Sequence, residues 1–319
     1  MNKKDRMMAI LAGEKADCVP AGFWYHFPGH WDAKTTAEAH LKCWKETDAD
    51  IIKVMQDYGE YIEHEILTPD DYKHIKFQGK ESRYYQKLVD VLKRIQDGTK
   101  GEVYTIQTLF SPLKAITRNI GYPLLMEHIK SCPEQLDIGL KTITEGLCEW
   151  AAGFVEEGAD GLFYSAQFSE PGRFTKPEWE RFCKKWDIQV LNAAESKGGK
   201  NMVHICGEPN YEYASMPEWY TDYPYAIINW SVKDTGLTMP AGKKFFKKPV
   251  CGGMHNKASI LDGTDEAIAL EAGRIIKGMD DACGLEGFML GADCTVQGEG
   301  ISNKKLRVAV DAAHQYVSR

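Results

Sequence analysis

Short apolar runs recur along this 319-residue chain at residues 19–25, 51–55, 102–107, 161–165, 201–205, 225–230, 249–252 and 287–291. Runs of this length, bounded by polar or turn-forming residues, read as buried strands. The stretches between them carry helical patterning. The spacing predicts helices over 36–47, 82–96, 133–157, 177–196, 265–278 and 302–317, after a leading helix over 3–12. Gly158 marks a C-terminal stop, Pro177 sits where a first helical turn tolerates its missing N–H, and Ser302 offers an N-cap. Eight strands alternating with helices over this length predict an α/β fold, a single (β/α)8 TIM barrel spanning residues 1–319 as one domain. A doubly wound open sheet is the other α/β solution. It is disfavoured because the count reaches eight and no G-x-G-x-x-G turn follows the first strand. No internal repeat, low-complexity tract or long Gly/Ser linker divides the chain.

Charge and apolar content exclude several classes. The formal net charge is −7 with no basic run, which argues against a nucleic-acid partner or an anionic membrane surface. No apolar stretch approaches the roughly 20 residues that span a bilayer. The first residues lack the apolar core and cleavage site of a signal peptide, so a cytoplasmic location is expected. The nine cysteines are scattered and odd in number, which does not suggest a disulfide framework. Cys43, Cys148 and Cys183 fall in helical patterns and read as small buried hydrophobes.

Barrel enzymes carry their chemistry at the C-terminal ends of the strands. His204 and Cys206 end the fifth predicted strand, and their i, i+2 spacing turns both toward one face. Cys294 follows the eighth strand, 88 residues after Cys206. One imidazole and two thiolates are ligands that suit Zn²⁺, and three protein ligands leave a fourth position open. Tyr25 and His26 end the first strand, Gln56 follows the second, Gln107 ends the third, and Ser165 and Gln167 end the fourth. Asn229, Trp230 and Ser231 end the sixth, and Met254 and His255 follow the seventh. Tyr25 and Gln167 are taken as candidate catalytic side chains. His26 and His255 read as polar rim residues. Phe23, Trp24, Tyr25 and Phe27 either line a pocket or pack in the core. Glu208 and Glu299 stand near the expected metal as acids, bases or a fourth ligand, or as solvated loop charges. Gly252-Gly253 either lets backbone approach the mouth closely or makes a turn.

Three segments carry a family resemblance. Arg6 through Pro20 resembles the opening of the uroporphyrinogen decarboxylase superfamily: a helix, a Gly-Glu-x-x-Asp turn and a Val-Pro lead into a strand. Val203-His204-Ile205-Cys206-Gly207 and Gly291-Ala292-Asp293-Cys294 resemble its branch of zinc-dependent, corrinoid-linked methyltransferases, of which coenzyme M methyltransferases are the best-known members. The resemblance implies a (β/α)8 barrel, zinc held by His204, Cys206 and Cys294, and methyl transfer between a thiol or methylated small substrate and a corrinoid (cobalamin). No segment resembles a corrinoid-binding domain, so the cofactor is expected on a partner corrinoid protein. A homodimer is also within the range the resemblance implies.

Two departures from that pattern matter. Uroporphyrinogen decarboxylases carry an Arg-rich segment after the first strand, whereas residues 22–29 hold no arginine, so a substrate with many carboxylates would lack its guanidinium forks. Some of the zinc enzymes carry a glutamate after the sixth strand. Here Asp234 is the carboxylate near that point, a further candidate catalytic group, with water as the competing fourth ligand. The alternative activities are a decarboxylase-like reaction, epoxide opening by a zinc-held thiol, and a non-catalytic ligand-binding barrel.

Overall fold

The computed structural model describes residues 1–30, 32–57, 59–207, 214–298 and 301–318. Among them are seven parallel strands: β1 (Ile51–Val54), β2 (Tyr104–Phe110), β3 (Gly161–Ala166), β4 (Met202–Ile205), β5 (Ile227–Trp230), β6 (Val250–Met254) and β7 (Phe288–Ala292). Each pairs with the next in chain order, as right-handed strand–helix–strand units produce. Alternation along the strands builds two apolar layers. Ile51, Ile106, Phe163, Met202, Ile227, Cys251 and Met289 belong to one buried cluster that draws a residue from every strand, so the sheet curls around its own inner face. The alternate residues, such as Val54, Leu109, Leu162, Val203, Ile228, Val250 and Leu290, pack outward against the helices. No helix is long and apolar enough to cross a membrane among the described residues.

The first predicted strand departs from expectation. Residues 19–25 form no continuous strand, only isolated bridges from Ala21 to Leu290 and from Tyr25 to Val296. The segment does run between β7 and β1. Gly22 N donates to Leu290 O at 3.1 Å, Leu290 N to Pro20 O at 2.9 Å, and Asp50 N to Ala21 O at 2.9 Å. Pro20 has no N–H to offer, which interrupts a ladder at that point. The result is a seven-stranded, TIM-barrel-like curled sheet with an irregular segment along the open side.

The other seven predicted strands are present within a few residues. The leading helix is Lys3–Leu11, and Pro133–Glu156 ends just before Gly158, whose φ is 104°. The helix expected over 177–196 contains a π-helical turn at Glu180–Lys184. Ser302 takes the N-cap position of Asn303–His314 but its side chain makes no capping bond. Among the described helices of eight residues or more, Pro112–Ser131, kinked at Gly121, and Met239–Phe246 were not anticipated.

Candidate metal centre

His204 lies on β4 at an inward register position, beside Ser165 of β3 and Asn229 of β5. Its ring stacks on Phe163 with centroids 5.3 Å apart. Asn229, fully buried, decides which ring nitrogen is available. Its amide donates to the carbonyls of Cys251 at 2.9 Å and Ala292 at 3.0 Å. The reverse placement would set the amide oxygen against two carbonyl oxygens. Oδ1 therefore faces His204 Nδ1 at 2.6 Å and accepts its proton. The neutral imidazole then presents the lone pair of Nε2 to the cavity, the arrangement a metal-ligating histidine needs. Gly252, at φ 143°, leaves room for this amide, since a Cβ there would stand 3.2 Å from Asn229 Nδ2. Of the two readings of Gly252-Gly253, close backbone approach is the one seen.

Cys294 follows β7 by two residues, and its neighbours are tied down. Asp293 N donates to Met254 O at 2.8 Å, while Asp293 Oδ2 accepts from Lys233 N at 3.0 Å. Asn256 donates to Thr295 O at 2.8 Å. These bonds bring Cys294 Sγ to 3.3 Å from His204 Nε2. With Cys206 included, the three potential ligand atoms all lie within 4.8 Å of one another. Metal bonds of about 2.0–2.3 Å arranged tetrahedrally put ligand atoms roughly 3.5 Å apart, so the donor set and its spacing fit zinc. The two neighbouring thiols shift each other's pKa in opposite directions. Cys294 is lowered to about 7, first by the hydrogen bond from Cys206, with Lys53 and Lys257 adding their charge. Cys206 is pushed up, first by the same bond and then by burial.

The three residues open into a cavity of about 380 Å³, which Gln167, Asp234, Ser215, Lys114 and Asp293 also line. Gln167 is buried, and its Oε1 has no hydrogen-bond partner among the described residues, as is true of Ser215 Oγ and Asp293 Oδ1. Phe168, just after Gln167, adopts φ 69°, a conformation rare for a bulky side chain. Asp234 is exposed at the rim. Tyr25 is not brought into this group. Its hydroxyl donates to Asn303 at 2.8 Å, and it lines a separate cavity with His26 and His30. Burial raises its pKa. His26 pairs with Asp57 at 2.5 Å. Of the aromatic run, Phe23, Trp24 and Phe27 are buried in the core, with Tyr25 packed against it. Gln56 accepts from Tyr61 at 2.5 Å, and Gln107 is buried between β2 and the helices. Glu208 and Glu299 lie outside the described residues.

Sequence reasoning missed Lys53. It sits inside β1 with its Nζ 4.3 Å from the Phe163 ring centroid, and burial lowers its pKa to about 8. The signal was present, a lysine at inward parity in the apolar run Ile51-Ile52-Lys53-Val54-Met55.

Comparison with known proteins agrees with this architecture. The chain's structure is similar to that of a methyltransferase from Methanosarcina mazei, with a TM-score of 0.76, 16% identity and 98% of each chain covered. It is also similar to a B12-independent methionine synthase from a Shewanella species, with a TM-score of 0.57, 14% identity, and 93% of this chain and 95% of that one covered. At such identities the likeness is one of fold. No curated protein matches the sequence. The model of the family described as uroporphyrinogen decarboxylase (URO-D) matches residues 51–316, a span that takes in all seven strands and all three candidate ligands. The chain belongs to that family.

Proposed function

We propose that this protein is a zinc-dependent methyltransferase that moves a methyl group between a corrinoid carried by a partner protein and a thiol or methylated small substrate. The observation that carries the reading is the convergence of His204, Cys206 and Cys294 at one cavity. The (β/α)8 reading goes with it: residues 19–25 take the eighth position between β7 and β1, and residues 1–319 act as one domain. A bound zinc ion would supply Lewis-acid charge that lowers the pKa of a coordinated thiol or polarises a methylated heteroatom. The protein's part is to hold the ligands and shape the site. Asn229 keeps the His204 Nδ1 proton in place, so Nε2 keeps its lone pair free for a metal. Cys206 and Cys294 bring anionic sulfur to the site. Gln167 and the exposed Asp234 line the cavity as polar contacts for a substrate, and Tyr25 stands outside it. Lys114 and Lys257 are the cations among the described lining residues, and no arginine is among them. That composition suits a small substrate better than a porphyrinogen bearing many carboxylates.

Metal content by elemental mass spectrometry tests the reading, with methylcobalamin and a small thiol as probe substrates. About one zinc per chain is expected in the wild type, with sharp loss in Cys294→Ala and in Cys206→Ser and loss of the methylcobalamin demethylation signal in both. A Cys206→Ser protein with full zinc and full activity would overturn it. Thiol consumption without any cobalt compound, using an epoxide probe, would instead favour ring opening at the same centre.

A further inference from the structure

An ammonium group buried without a carboxylate partner is expensive, by several kcal/mol in real proteins. Lys53 is such a group. It is 6% exposed, and its Nζ hydrogen-bonds to the thioether of Met55 at 3.1 Å. Two ring faces lie over it, Phe163 at 4.3 Å and Trp24 at 5.9 Å. No ion pair to it is formed among the described residues. Ring faces and a thioether recover part of the lost hydration, and the remainder calls for an anion nearby. Lys53 projects into the interior from β1, and the Phe163 ring it packs on is the ring stacked against His204. Of the groups whose negative charge acts on it, Cys294 comes first, ahead of Asp57 and of Cys206 once that thiol is ionised. Asp57 is already engaged by His26 and the Phe27 N–H.

Charge counting then gives Lys53 a purpose, on the reading that the centre binds zinc. A neutral imidazole, two thiolates and a divalent ion sum to zero. A third sulfur ligand entering as a thiolate adds one negative charge to a poorly solvated site. A positive charge on Lys53, behind the Phe163 ring, offsets that addition, and would leave the site over-charged with a neutral or cationic ligand. We propose that Lys53 is the charge-balancing residue of the centre, a positioning group that selects an anionic ligand over a neutral one at the open position without touching it.

The test compares wild type, Lys53→Met and Lys53→Arg, each loaded with zinc or with cobalt(II) as a spectroscopic substitute. Metal content and the affinities of 2-mercaptoethanol and its S-methyl ether are measured. Lys53→Met should keep its metal and bind the thiol at least about tenfold more weakly, the equivalent of one factor of ten in Kd. Its affinity for the S-methyl ether should be unchanged, and Lys53→Arg should keep the wild-type preference. If both affinities fall together in Lys53→Met, or neither changes, Lys53 only packs and the proposal fails. Should Lys53→Met lose its metal, a metal-loaded Lys53→Arg protein that has lost the preference would overturn the proposal and one that keeps it would support it. A wild-type protein that takes up no metal overturns the zinc reading itself and this inference with it.

Discussion

Asn229 shows how much a single side chain decides. Three hydrogen bonds, to His204 Nδ1 and to the carbonyls of Cys251 and Ala292, fix one tautomer of one histidine. Removing the amide frees the imidazole to rotate or to carry its proton on Nε2, where it could not bind a metal. Asn229→Ala should therefore lose about 10–100-fold in zinc affinity, the usual cost of a missing partner behind a metal ligand. Competition against a chromophoric chelator measures this, and an unchanged affinity would show that His204 is not a ligand. The candidate ligands were legible in sequence because residue type and i, i+2 spacing are local properties. Asn229 was visible only as the end of a strand, since its role depends on a side chain 25 residues away. Lys53 was passed over because an apolar run was read as an apolar wall.

At the scale of elements, the site depends on how closely β3 and β4 approach. Gly161 opens β3, and a Cβ there would lie 2.3 Å from the carbonyl oxygen of Lys200, just ahead of β4. That neighbour is backbone, held by a bond from Lys200 N to Asp160 O at 2.8 Å and by the Tyr104 hydroxyl. Gly161→Ala must push the two strands apart. We expect a loss of about 1–3 kcal/mol, the usual range for overpacking, in urea unfolding, together with weaker zinc binding because β4 carries His204. Full stability would mean that the strands can part freely here. Seven strands were readable because each is a short apolar run between polar segments. Residues 19–25 have the same apolar character, yet Pro20 lacks a donor and the segment bonds to its neighbours only at scattered points. The helix Pro112–Ser131 went unrecognised because Pro112, Gly121 and Pro123 break the pattern, while its termini and packing still make it helical.

Across the whole molecule, the metal centre joins distant parts of the chain. Cys206 and Cys294 are 88 residues apart, so no unfolded chain holds them together. A ligand that binds the folded form raises its stability by mass action. Adding zinc to metal-free protein should raise the midpoint of thermal unfolding, and a strong chelator should lower it again. In Cys294→Ala both shifts should shrink toward nothing. Equal shifts in the wild type and in the variant would place zinc elsewhere on the protein.

Composition and periodicity by themselves determined the alternation of strands and helices, the strand ends at which chemistry would sit, and the residue types offered there, because each of these follows from local spacing and burial. Only the tertiary structure decided that strands β4 and β7 bring His204, Cys206 and Cys294 to one point, that Gln167 and Asp234 share their cavity while Tyr25 does not, and that a buried lysine packs on the ring that stacks against His204. These outcomes depend on sheet curl, loop path and side-chain hydrogen bonds between residues far apart in the chain, and no local pattern encodes them.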